Sequence, residues 1–102
     1  MTSQAALDAL GDPSRRSIVE LLGRGPLAVG EIAEQLPISR PAVSRHLRLL
    51  GEAGLVAHRA EGTRHLYELR AEGIEAIHAY FRAVWGEAAA RFTLLAENTS
   101  DS

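Results

Sequence analysis

The chain has no cysteine and no lysine, and among its 102 residues only 5% are aromatic. Without cysteine, disulfides, thiolate metal sites and thiol redox sensing are excluded, and a cytoplasmic location is the expectation. No apolar run approaches the roughly 18 residues of a membrane span, so no membrane partner is expected. The N-terminus lacks the basic-then-apolar pattern of an export signal. There is no nucleophile–base–orienter set, no phosphate-cradling glycine loop and no metal constellation. Catalysis is therefore not expected, nor a cofactor. Acid excess is slight: a net charge of −2 argues against a non-specific polyanion binder. What remains is one domain with a modest core, 46% of it apolar.

All eleven basic residues are arginine. A codon bias toward arginine and alanine explains this most simply, although the planar guanidinium also suits guanine and phosphate. The distribution is more informative. Residues 39–70 carry Arg40, Arg45, Arg48, Arg59, Arg64 and Arg70 against Glu52, Glu61 and Glu68, with His46, His58 and His65 among them. The other acids lie in the two flanks, and a basic middle between acidic ends suits nucleic-acid contact through one surface. Residues 39–55 within it predict an amphipathic helix. Ser39 is a natural N-cap, Pro41 fits the first turn, and Gly54 is placed for a left-handed cap. At about 100° per residue Val43, Leu47 and Leu50 share one face, while Pro41, Ser44, Arg45 and Arg48 point the opposite way.

Around this helix the pattern is mainly α. Ala5, Ala6, Leu7, Ala9 and Leu10 predict a short first helix broken by Gly11. Asp12-Pro13 starts a second, with Ile18, Val19, Leu21 and Leu22 as its buried face, ending at Gly23. Gly25-Pro26 makes a turn. Residues 29–35 form a short third helix anchored by Ile32, Ala33 and Leu36, and Leu36-Pro37-Ile38 is the tight turn that follows. Residues 55–60 and 64–69 predict a hairpin around Glu61-Gly62-Thr63, with Gly62 at positive φ. From Ala71 to about Glu97 the chain returns to helix. Its apolar stripe (Ile74, Ile77, Phe81, Val84, Ala88, Phe92, Leu95) is roughly 30 Å long. So small a domain cannot cover that stripe itself, which predicts a two-fold partner copy.

Leu10-Gly11-Asp12-Pro13-Ser14-Arg15-Arg16-Ser17-Ile18 resembles the "L-x-D-P-x-R-x-x-I" opening of the ArsR family of bacterial transcriptional repressors. Residues 27–36 followed by 39–50 resemble that family's helix-turn-helix, and Gly54-Leu55-Val56 with residues 61–67 resemble its first strand and wing. The resemblance spans about residues 5–95. It implies a single winged helix-turn-helix domain over 1–102, with a recognition helix at about 39–53, a wing at about 55–69 and a dimerisation helix at about 71–97. About five helices and a two-stranded wing are expected, with the terminal helices forming the subunit interface. The implied function is sequence-specific repression by a homodimer on a pseudo-palindromic operator in double-stranded DNA.

On this reading Arg45 is the base reader, Ser44 bonds base or phosphate, and Arg40 and Arg48 grip the backbone. Ser39, Pro41 and His46 complete the helix's DNA-facing set, although His46 lies nearer the apolar edge and packing suits it better. Arg59, Gly62, Thr63 and Arg64 form the wing's contact, with Glu61 an unfavourable carboxylate at the tip. Arg15 and Arg16 offer a phosphate contact or an internal pair, such as Arg16 with Glu20. The expected dimer interface is Leu7, Leu10, Ile74, Ile77, Phe81, Val84, Trp85, Ala88, Phe92 and Leu95. Family members that sense metal carry cysteines on the third helix or a matched Asp/His/Glu set on the last. Here Val29-Gly30-Glu31-Ile32-Ala33 has no thiol, and Glu75, His78 and Glu87 are too few ligands, so no metal is expected. Tyr80, Phe81, Trp85 and Phe92, with Gly86, suit a dimer core better than a ligand pocket. Two alternatives stay open: a winged-helix module that binds protein rather than DNA, and a repressor gated by an apolar small molecule of unknown identity.

Overall fold

The computed structural model describes the backbone of residues 3–100 and the side chains of residues 4–86 and 91. Five helices and one hairpin follow in the order α1 (Ser3–Ala9), α2 (Pro13–Leu22), α3 (Val29–Gln35), α4 (Arg40–Glu52), β1 (Val56–Glu61), β2 (Arg64–Leu69) and α5 (Ala71–Ser100). The fold is a winged helix-turn-helix.

The helix starts are chemically specified. Asp12 has extended backbone and its carboxylate accepts the Arg15 N–H at 3.0 Å, with Pro13 opening α2. The Ser39 hydroxyl accepts the Ala42 N–H at 3.3 Å at the start of α4. Before α3 stands Ala28, which has no capping oxygen. Glu31, three residues on, reaches back to accept the Ala28 N–H at 2.9 Å, half of a capping box. The α1 C-terminus is closed from outside: Arg15 Nε donates to the Ala9 carbonyl and Arg16 Nη1 to that of Leu10. These two arginines thus satisfy backbone acceptors, and the expected Arg16–Glu20 pair is not formed.

The core lies where α2, α3 and α4 meet the base of the hairpin. Ile18, Ile32, Val43, Leu47, Leu50 and Leu55 are each at most 1% exposed. Burying one such side chain fully is worth about 1.5–3 kcal/mol, so this set fixes the angle of α4. The α4 C-terminus ends in a Schellman motif, with Leu55 N–H on the Leu50 carbonyl, Gly54 N–H on that of Gly51, and Gly54 at φ 80°. Against that cap lies Gly73 of α5. A Cβ on Gly73 would collide with the Gly54 carbonyl oxygen and stand 3.0 Å from the Leu55 Cα, so α5 seats here only on glycine.

The hairpin pairs Val56 with Leu69 through Glu61 with Arg64, leaving a two-residue Gly62-Thr63 turn with Gly62 at φ 65°. That is a tighter loop than the three-residue tip expected, and it is the primed type that matches strand twist. Sequence reading also missed a third backbone partner. Leu27, just after the Gly25-Pro26 turn, exchanges both hydrogen bonds with Tyr67, at 3.0 and 2.8 Å, and so covers part of the outer edge of β2.

Helix α5 leaves the body. At 30 residues it is about 45 Å long, and the radius of gyration is 17.8 Å where a compact chain of this length would have about 13 Å. Ile74 and Ile77 pack against the core, as does Leu10, and Leu7 is half-buried. Farther along, Phe81, Val84 and Trp85 are 43%, 47% and 60% exposed. Tyr80, which the interface set omitted, is exposed beside Phe81, edge to face at 5.7 Å. The expected interface residues Ala88, Phe92 and Leu95 lie outside the described side chains.

Candidate nucleic-acid interface

The outer face of α4 carries the side chains its wheel assigns to it. Ser39, Arg40, Pro41, Ser44, Arg45 and Arg48 are all exposed, while Val43, Leu47 and Leu50 on the opposite face are at most 1% exposed. Among the described residues Arg45 has no carboxylate within ion-pair reach, and neither does Arg40. Arg48 is different: its Nη1 lies 3.4 Å from Glu52, one turn on, in an exposed pair. The Arg40 guanidinium folds back along α3, with Nη2 3.1 Å from where a Gly30 Cβ would stand.

His46 departs from the outward set. It is 8% exposed, its Nδ1 stands 3.9 Å from an Asp12 oxygen, and among the described residues that nitrogen has no hydrogen-bond partner. The side chain packs α4 against the start of α2. The apolar side of the wheel wins because Leu47 and Val43, its neighbours there, are core residues.

The wing presents Arg59, Gly62, Thr63 and Arg64 at the surface, but its arginines are engaged. Arg59 binds Glu61 at 2.8 Å and Glu68 at 3.4 Å. Its affinity for its proton is raised, first by the Glu61 hydrogen bond and then by the Glu68 charge. Thus Glu61, an objection at the tip when read alone, is the partner of Arg59. Arg64 reaches across to α3 and donates to Glu31 Oε1, the same oxygen that accepts the Ala28 N–H. The Ala28 N–H, and then the Arg64 charge, hold the Glu31 carboxyl below the usual carboxylate range. Sequence reasoning missed this contact. Its one available signal was glutamate at the third position of α3, which marks a capping acceptor. Nothing in the spacing marks a partner 33 residues away. On the other strand face His58 packs on Tyr67, with ring centroids 5.4 Å apart, and lies 6.4 Å from His65.

Elsewhere, Glu75 is bound by Arg82 at 2.6 Å, which sets its carboxyl low and takes it from the Glu75/His78 ligand pair. Among the described residues no three His, Asp or Glu side chains converge as a metal site, and no helix is long and apolar enough to cross a membrane.

Proteins similar to this chain include transcriptional regulators. A family model described as a helix-turn-helix domain matches residues 10–59. The HTH-type transcriptional regulator Rv2034 of Mycobacterium tuberculosis is 46% identical over 96 residues, spanning 94% of this chain and 90% of that protein. An ArsR-like transcriptional regulator from Rhodococcus sp. RHA1 superposes with a TM-score of 0.76 at 25% identity, over 93% of this chain and 90% of the other. The homodimeric winged helix-turn-helix DNA-binding domain of Mb0332 from Mycobacterium bovis, a possible ArsR-family regulator, gives a TM-score of 0.67 at 32% identity, over 82% and 78%.

Proposed function

The chain belongs to the ArsR family of winged helix-turn-helix DNA-binding transcriptional regulators, and on that premise we propose that it is a homodimeric repressor of a pseudo-palindromic operator. The observation that carries this reading is the outer face of α4, where Arg45 and Arg40 are exposed with no acid partner among the described residues. In the major groove Arg45 takes the guanine edge, Ser44 bonds base or phosphate, and Arg40 and Arg48 hold the backbone. The Gly62-Thr63 turn lets the wing approach the adjacent minor groove with little side-chain bulk.

A second copy of the chain covers the exposed stripe of Phe81, Val84 and Trp85 and doubles the DNA-reading surface. Metal control is not part of this reading: the chain has no thiol, and Glu75, His78 and Glu87 are too few ligands for zinc. Added zinc should leave operator affinity unchanged.

Of the alternatives, the protein-interaction module gives no reason for Arg40 and Arg45 to stand exposed on α4 without an acid partner among the described residues. For an apolar effector the cleft between α1 and α4, about 320 Å³ and lined by Ala5, Ala9, Leu49 and Ala53 with Asp8, Arg15 and Glu52 at its border, is the place to test.

The test is selection of genomic DNA fragments by the purified protein, then titration of the winner against salt. The expected result is an inverted repeat with half-sites about 34–36 Å apart, and a log–log salt slope near −0.9 per phosphate contacted. No enrichment by a folded dimer, or a flat salt response, would overturn the operator reading.

A further inference from the structure

Two arginines from different elements converge on adjacent residues of α3. Arg40, from the start of α4, lies against Gly30, and Arg64, from the far strand of the wing, is bound to Glu31. Both guanidinium groups are exposed, and both belong to the surface assigned above to DNA. Between a recognition helix in the major groove and a wing on the flanking minor groove runs the sugar–phosphate backbone. The carboxylate bound to Arg64 at that junction is Glu31. It is anchored by the Ala28 N–H at 2.9 Å, so it does not swing away when Arg64 is drawn elsewhere.

We infer that Arg40 and Arg64 form a site for one DNA backbone phosphate over the first turn of α3, and that Glu31 occupies the phosphate's place on Arg64 in the free protein. The inference rests on the DNA-binding reading above. Glu31 then acts as a built-in competitor. The ion pair it makes is exposed, 56% on the arginine side and 41% on the glutamate side, and such pairs contribute little. A phosphate therefore displaces the carboxylate readily. The displaced charge stays within reach of the DNA and cancels part of what Arg64 contributes. Contacts to backbone are lowered for every sequence alike, so the mask weakens operator and non-specific binding by the same factor and leaves base readout by Arg45 to set the preference.

The experiment is a double-mutant cycle on the full-length protein with E31Q, R64Q and the double variant, titrated on the selected operator and on an unrelated duplex from about 50 to 300 mM salt, the range over which phosphate contacts are lost. The glutamine of E31Q retains a side-chain carbonyl for the Ala28 N–H, and thermal melts confirm that each variant folds. E34Q is the control, since exposed Glu34 removes the same charge from the same helix with no arginine partner among the described residues. E31Q should bind both duplexes up to about fivefold more tightly per protomer. Its salt slope should steepen by about 0.9 per protomer, and neither change should survive in the R64Q background. A loss of affinity in E31Q, an unchanged slope, or an equal gain in E34Q overturns the mask while leaving the DNA reading intact. A wild type that binds neither duplex overturns both.

Discussion

The outer face of α4 carries three arginines and the wing two, and the two regions differ in what those arginines are doing. On α4, Arg45 and Arg40 stand without an acid among the described residues, and only Arg48 is paired, with Glu52 at 3.4 Å. On the wing both arginines are occupied, Arg59 by Glu61 and Glu68, Arg64 by Glu31. Counting cations in a sequence window therefore overstates the charge a surface offers to DNA. On the proposed reading the free guanidinium groups are available to DNA without first breaking an ion pair, whereas the paired ones must exchange a carboxylate for a phosphate.

The largest effect should come from removing the second reader. Trp85→Glu places a charge in the stripe that the proposed partner copy covers. Sedimentation should then show a monomer, and operator affinity should fall by about 10²–10⁴, the avidity of two linked half-sites. A monomer that binds as tightly as wild type would show that α4 reads DNA singly. Next comes Arg45→Ala, which should cost about 1–3 kcal/mol per half-site and relax preference at one base pair in each. Selection on randomised duplexes measures this directly. A uniform drop across all sequences would move Arg45 to the backbone class and erase the contrast with the wing.

Arg40→Ala and Arg59→Ala sharpen the contrast between a free and a masked cation. Arg40→Ala should reduce the salt slope by up to about 0.9 per protomer, because an unpaired cation is taken from the phosphate it shares with Arg64. Arg59→Ala should change it by clearly less, because Glu61 and Glu68 already offset that charge in the free protein. Equal losses would mean that the wing's ion pairs dissolve completely on DNA.

Much of this was legible in the sequence because it is local. The caps at Asp12 and Ser39, the Gly54 stop, the Gly62 turn and the 3.6-residue spacing of Val43, Leu47 and Leu50 are decided within a few residues of chain. The family motifs added the order of elements and hence the wing. What stayed hidden is non-local. The Arg64–Glu31 pair, the Leu27–Tyr67 bridge and the seat of Gly73 on the Gly54 carbonyl each join residues whose proximity exists only once the core has set α3, α4 and the hairpin together. His46 was ambiguous for another reason. It sits at the boundary of the α4 wheel, where neither face has a decisive claim until Asp12 and the start of α2 are packed against it.

The smallest effect distinguishes how the two DNA-facing regions are moored. Asp12 stands beside His46 of α4, and Glu31 holds Arg64 of the wing; both carboxyls are depressed, each first by a backbone N–H at a helix start, from Arg15 and Ala28 respectively. A carboxyl whose folded pKa lies below its unfolded value contributes stability that is complete above the ordinary carboxylate range. That stability is lost as pH falls through the folded value. Melting temperature should therefore be level above about pH 5 and decline below it. Asp12→Asn keeps an N-cap oxygen but cannot titrate, and Glu31→Gln keeps the acceptor for Ala28, so each should flatten part of the acid decline. Salt should separate them. The Glu31 share includes the exposed Arg64 ion pair and weakens at high ionic strength. The Asp12 share depends chiefly on its capping hydrogen bond and should persist. An acid decline in Asp12→Asn as steep as wild type would remove the Asp12 carboxylate as a source of acid-sensitive stability at the start of α2, against which His46 of α4 packs.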